Sequence, residues 1–213
     1  MELTELAKAV ENGKAKIVKQ LTSLALEEGY SVEEILNTGL IAPMGVVGEK
    51  FKRDEIFVPE MLVAARAMSA GIAILEPLMA DSGVKPIGKV VIGTVKGDLH
   101  DIGKNLVAMM MKGIGATVYD IGVDTPDAKF VEKAEEVGAD VVCISALLTT
   151  TMPAIEDVIH EFTKAGIRDK YYIMIGGAPV TQQFADQIGA DAYTSNASDA
   201  AVVARQYLEA HSK

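Results

Sequence analysis

Apolar residues in the first 80 positions recur three and four apart: Leu3, Leu6 and Val10, then Ile17, Leu21 and Leu24. That period belongs to helices burying one face, and no convincing strand pattern interrupts it. Ser31 with Glu34 three residues later forms a capping-box pair, opening a helix that carries Ile35, Leu36, Leu40, Val47 and Phe51. Pro59, suited to a first-turn position, opens another with Met61, Leu62, Ala65, Met68, Ile72 and Leu75 on or near one face. The prediction is a bundle of about four helices over residues 1–80.

The period changes after DSGVKPIG, residues 81–88, whose Gly, Pro and polar content marks a linker. From residue 89 short β-branched runs alternate with helical segments: KVVIGT, a helix around 102–113, ATVYDIG, a helix around 127–137, DVVCISA, a helix around 152–165, and YYIMIGG. A helix from about 180, the run DAYT and a C-terminal helix from about 197 complete the chain. The expected fold class is α/β: an N-terminal four-helix bundle, then a flavodoxin-like (Rossmann-like) domain with a five-stranded parallel sheet over residues 89–213. Ligands of such sheets bind beyond the carboxyl ends of the strands, where strand order reverses. GDLHDIG follows the first strand, SALLTTTMP the third and GGAP the fourth, so three unusual loops converge there.

Composition narrows the classes. With 49% hydrophobic and 23% charged residues, and no apolar run near the roughly 20 residues that cross a bilayer, a soluble chain with no membrane partner is expected. The start MELTELAKAVENGKAK lacks an export signal, which implies the cytoplasm. The single Cys143 excludes an internal disulfide and any cysteine-based zinc site, and its setting in DVVCIS is that of a buried thiol. A net charge of -10 without basic runs argues against nucleic acid and for a small molecule or protein partner.

A glycine-rich turn between strand and helix first suggests a phosphate cradle. The spacing fails: five residues separate Gly97 from Gly103-Lys104, where a Walker A loop has four, and Asn105 follows in place of Ser or Thr. The dinucleotide fingerprint GxGxxG is also absent here. His100 alone reads as an ordinary loop histidine, but Asp98 is close enough to accept a hydrogen bond from one ring nitrogen and make the other a better electron donor. No second His, Cys or Glu lies at ligand spacing, so His100 as a metal ligand requires a cofactor to supply the rest.

Asp98-x-His100-x-x-Gly103, with Ser145-x-Leu147 after the third strand and Gly176-Gly177 after the fourth, resembles the cobalamin-binding signature of methionine synthase and the methyltransferase corrinoid proteins. MGVVGEKFKRDEIFVPEMLVAARAM is similar to that family's helical cap segment, so the resemblance spans nearly the whole chain. It implies that residues 89–213 form a cobalamin-binding domain in which His100 replaces the cofactor's dimethylbenzimidazole as lower cobalt ligand, hydrogen-bonded to Asp98. Thr151 stands where the family commonly has a Ser completing the relay, and the change keeps a hydroxyl. Ser145 and Leu147 would line the slot for the displaced nucleotide tail, and Gly176 and Gly177 would let it pass close to backbone. Asp101, Gly103 and Thr149 lie in the same motifs and count with the implied cofactor-binding positions. Phe57 matches the aromatic cap position, with Val58, Met61 and Leu62 beside it either against the corrin or in the bundle core.

The resemblance also implies the chemistry. A methylated Co(III) centre favours six ligands whereas Co(I) is square planar, so the lower ligand must come and go; a histidine paired with a carboxylate can take up a proton as it leaves. With no room for a substrate-binding barrel, the chain would be a corrinoid component of a multi-protein methyltransferase system, not a complete enzyme. It would be loaded by a substrate-specific methyltransferase and unloaded by one directed to tetrahydrofolate or coenzyme M, with a reductive activase as a further partner. The linker would act as a hinge for a movable cap. A cobalamin-binding sensor module and the small subunit of an adenosylcobalamin mutase stand as alternatives. The absence of a basic helix-turn-helix weighs against the first, and the N-terminal bundle against the second.

Overall fold

The computed structural model describes residues 3–82 and 86–211; residues 83–85 of the expected linker, and with them that part of the hinge, lie outside the described residues. The chain divides into two compact units, one ending at Pro86 and grouping residues 113–115 with it, the other comprising the remainder from Ile87.

The first unit is helical: α1 (Leu3–Glu11), α2 (Ala15–Glu27), α3 (Val32–Glu34), a π-helical segment Ile35–Ile41, α4 (Ala42–Lys52) and α5 (Val58–Ser82). The capping box at the start of α3 is formed, the Ser31 hydroxyl accepting the Glu34 N–H at 3.2 Å while the Glu34 carboxylate accepts the Ser31 N–H at 3.0 Å. The helix it opens continues to Lys52, but not as regular α-helix. In the π segment the Ala42 N–H reaches back five residues to the Asn37 carbonyl. Pro43 explains the wider turn: it offers no N–H, and its ring would collide with the carbonyl four residues earlier in a regular helix. Leu6, Val10, Val18, Ile35, Leu40, Met61, Met68 and Leu75 are buried.

One expectation is corrected here. Val58–Leu78 in α5 spans 21 residues at a mean hydropathy of 1.5, long and apolar enough by itself to cross a bilayer. Glu60, Arg66 and Glu76 break up the run in the sequence. Met61, Ala64, Ala65, Ala67, Met68 and Leu75 are buried, the pattern of a helix with one face in a protein core.

The second unit alternates β1 (Lys89–Thr94), α6 (Ile102–Gly113), β2 (Thr117–Asp120), α7 (Asp127–Val137), β3 (Val141–Ser145), α8 (Pro153–Lys164), β4 (Tyr172–Gly176), α9 (Gln182–Ile188), β5 (Ala192–Tyr193) and α10 (Ala197–His211). The sheet is parallel with order β2-β1-β3-β4-β5, which puts the switch point between β1 and β3. Val91, Val142, Ile144, Ile173 and Ile175 pack on one face with Phe130, Ile155, Val158, Ile159 and Phe162. Val90, Ile92, Cys143 and Met174 alternate with them and are buried as well, as a sheet covered on both sides requires. Thr94 pairs with Ser145 and Ser145 with Gly176, so the loops after β1, β3 and β4 leave the sheet at one level.

Candidate functional site

Asp98 is fully buried in the loop between β1 and α6. Its Oδ1 accepts the His100 N–H at 3.0 Å and lies 2.7 Å from His100 Nδ1; its Oδ2 accepts the Leu147 N–H at 2.7 Å and the Thr151 hydroxyl at 2.8 Å. Burial by itself would raise the carboxyl's pKa, but bonds from Leu147, His100 and Thr151 outweigh it and hold Asp98 well below the usual carboxylate range. An ionised carboxylate can only accept, so Nδ1 of His100 carries a proton, and in the neutral ring the lone pair is then on Nε2. The ring is 49% exposed, and among the described residues nothing hydrogen-bonds Nε2. The result is one oriented nitrogen donor at the mouth of the sheet.

The local fold produces this arrangement. Thr94, the last residue of β1, is buried, and its hydroxyl donates to the His100 carbonyl at 2.9 Å, turning the loop back on the strand. The Thr151 hydroxyl has one proton for two acceptors, Asp98 at 2.8 Å and the Leu148 carbonyl at 3.0 Å, and the ionised carboxylate is the stronger. Lys104 is turned inward, 3% exposed, and bonds Asp120 and the Asn105 side chain, so it faces no ligand as a P-loop lysine would.

The remaining sequence candidates are placed as follows. Asp101 is exposed ahead of α6 and accepts from the Asn105 side chain at 3.1 Å. Gly103 is exposed, and a Cβ built there meets nothing within 4 Å. Ser145 ends β3 half-buried, Leu147 is 39% exposed, and Thr149 is exposed in the following turn. Gly176 ends β4; Gly177, at φ +136°, lies so close to the Ala146 carbonyl that a Cβ would stand 1.8 Å from its oxygen. Phe57, Val58, Met61 and Leu62 belong to the first unit, where Phe57 is 66% exposed, Val58 and Leu62 are half-buried, and Met61 is buried. The structure thus brings Asp98, His100, Leu147 and Thr151 together by direct bonds.

Sequence reasoning passed over the apolar surroundings of His100. Leu99 is 73% and Ile102 71% exposed, and Leu148 is also exposed. Their signal was present as leucine and isoleucine set among the polar residues of GDLHDIG and SALLTTT. Such residues gain by being covered, so a free nitrogen flanked by apolar side chains, with open space at Gly103, suits a broad, largely apolar group that brings its own metal. Among the described residues no cluster of three or more His, Cys, Asp or Glu could hold a metal ion on protein side chains alone. The chain's residues therefore fit a corrinoid.

Comparison with known proteins bears on both units. Two family models, each described as a B12 binding domain, match residues 2–76 and 88–204. The dimethylamine corrinoid protein of Methanosarcina barkeri is 46% identical over 208 residues, covering 97% of each chain. A corrinoid protein of Desulfitobacterium hafniense is 41% identical over 209 residues, again covering 97% of each. Among solved structures, the methanol:cobalamin methyltransferase complex of Methanosarcina barkeri matches with a TM-score of 0.86 at 31% identity, covering 96% of this chain and 78% of that one.

Proposed function

Because the chain belongs to the family of corrinoid proteins built from B12 binding domains, we propose that it is a methyl carrier, accepting a methyl group on cobalt from one methyltransferase and yielding it to another. Cobalamin is its cofactor, and cobalt supplies the chemistry of taking up and giving up the methyl group. The observation that carries the reading is the Asp98-held imidazole of His100 with Nε2 free.

The protein's own residues have three tasks in this reading. His100 offers Nε2 as lower ligand. Asp98 fixes the ring, keeps Nδ1 protonated, and stabilises the imidazolium formed whenever Nε2 takes a proton. Thr151 and the Leu147 N–H fill the other carboxylate oxygen, so Asp98 cannot rotate away from the ring. Leu99, Ile102, Leu147 and Leu148 exclude water from the face they share with the cofactor, while Asp101, Gly103, Ser145, Thr149, Gly176 and Gly177 accommodate its tail and edge. Phe57 and its neighbours Val58 and Leu62 serve as cap residues of the helical unit.

The partners are methyltransferases: a loading enzyme specific for a methylated substrate and an unloading enzyme directed to tetrahydrofolate or coenzyme M, with a reductive activase to restore oxidised cobalt. Support for a small methylated substrate comes from the relatives, which include dimethylamine corrinoid proteins, and from the structural match to a methanol:cobalamin methyltransferase complex. The test is absorbance after anaerobic reconstitution with hydroxocobalamin, followed by chemical reduction and methyl iodide. Bound corrinoid that reduces to Co(I) and then gives stable methyl-Co(III) is expected. Folded protein that takes up no corrinoid would overturn the reading.

A further inference from the structure

The loop after β2 holds a residue in a conformation that side chains seldom adopt. Asp124 has φ +49°, in the left-handed region, where Gly122 nearby sits at +91°. Glycine would occupy this position without steric cost; Asp and Asn are among the few other residues that tolerate it. Something must favour a carboxylate there over the easier residue. The Asp124 side chain accepts the Gly97 N–H at 2.7 Å, and its own N–H donates to the Asp98 carbonyl at 2.9 Å. Gly97 and Asp98 are therefore gripped from both sides by one residue of another loop. That loop is itself anchored to the end of β1: Thr94 donates its N–H to the Gly122 carbonyl at 3.0 Å and accepts the Thr125 N–H at 3.1 Å.

We propose that Asp124 is a positioning residue for His100: it clamps the backbone of Gly97 and Asp98 so that the Asp98 carboxylate, and through it the imidazole, stays in ligating position. The inference rests on His100 being the lower cobalt ligand. Asp124 touches neither the ring nor any reacting atom. Its contribution is to restrain Gly97, the glycine preceding Asp98, which at φ +82° stands in the left-handed region.

A purely structural role and a positioning role separate through two substitutions. Asp124→Gly relieves the left-handed strain but deletes the acceptor. Asp124→Asn keeps tolerance of that conformation and keeps a carbonyl oxygen to accept the Gly97 N–H. The measurement is the dissociation constant for hydroxocobalamin of the full-length protein, beside the Tm of the apoprotein and the electron paramagnetic resonance spectrum of the reconstituted Co(II) form. His100→Ala serves as reference. Asp124→Gly is expected to raise the dissociation constant about tenfold, the lower end of what outer partners of a ligating histidine contribute, and to reduce the signal of nitrogen coupled to cobalt, with Tm within a few degrees of wild type. Asp124→Asn should bind within about twofold of wild type. The proposal is overturned if Asp124→Gly also binds within about twofold of wild type, or if Asp124→Asn loses as much as Asp124→Gly. If wild type and His100→Ala bind alike and neither shows histidine nitrogen on cobalt, it is the ligand assignment that fails.

Discussion

At the scale of single residues, a full negative charge sits at a position with no exposed surface and, among the described residues, no lysine or arginine bonded to it. Asp98 is stabilised by four neutral or histidine donors, and each one removed leaves a lone pair of a buried anion unmatched. Thr151→Val keeps the shape of the side chain and deletes one donor. It should destabilise the apoprotein by about 2 kcal/mol in urea denaturation, while Thr151→Ser retains most of the stability. The sequence made Asp98 and His100 legible because they lie two residues apart. It could say less of Leu147, whose contribution is a backbone N–H 49 residues away that no choice of side chain announces.

At the scale of elements, two glycines of the same motif set answer to different demands. Gly177 is excluded from carrying a side chain by the protein's own Ala146 carbonyl and by its φ of +136°. Gly103, in the first turn of α6, has open space where its Cβ would be. Gly177→Ala should therefore cost several kcal/mol or prevent folding, about 3 or more by the scale of backbone strain and clash. Gly103→Ala should leave the apoprotein as stable as before or slightly more so, as Ala is the better helix former by up to about 1 kcal/mol, yet weaken corrinoid uptake. Denaturation and cofactor titration on the pair test the division. Strand and helix alternation was readable after residue 89 because both faces of the sheet are buried and the strands are β-branched runs. The π segment was not, since a heptad-like apolar pattern is blind to one extra residue in the turn; only Pro43 hinted at it.

At the scale of the molecule, a thiol in the sheet's interior makes stability fall on the alkaline side. Cys143 in β3 is buried, and burial pushes its thiol up to about 12 from the ordinary 9.0. The sign follows from linkage: the unfolded chain releases the proton above 9.0 and the folded one does not, so stability is lost as pH rises past that point. Wild type should lose about 1.4 kcal/mol more than Cys143→Ala between neutral pH and one unit above the unfolded thiol's pKa, measured by urea denaturation at both pH values. The two-unit organisation was legible as a change of hydrophobic period, whereas the membrane-length apolarity of α5 was masked by three charges. The bonds to Asp98 also have a consequence for the order of assembly. Two of its donors lie 49 and 53 residues downstream, so the carboxylate gains them only once β1 has found β3 across the intervening α6, β2 and α7. Closing so long a loop is entropically opposed and must be offset by the contacts it completes. Competence to take up the cofactor thus depends on the β1–β3 pairing, and corrinoid uptake marks chains in which that pairing has formed.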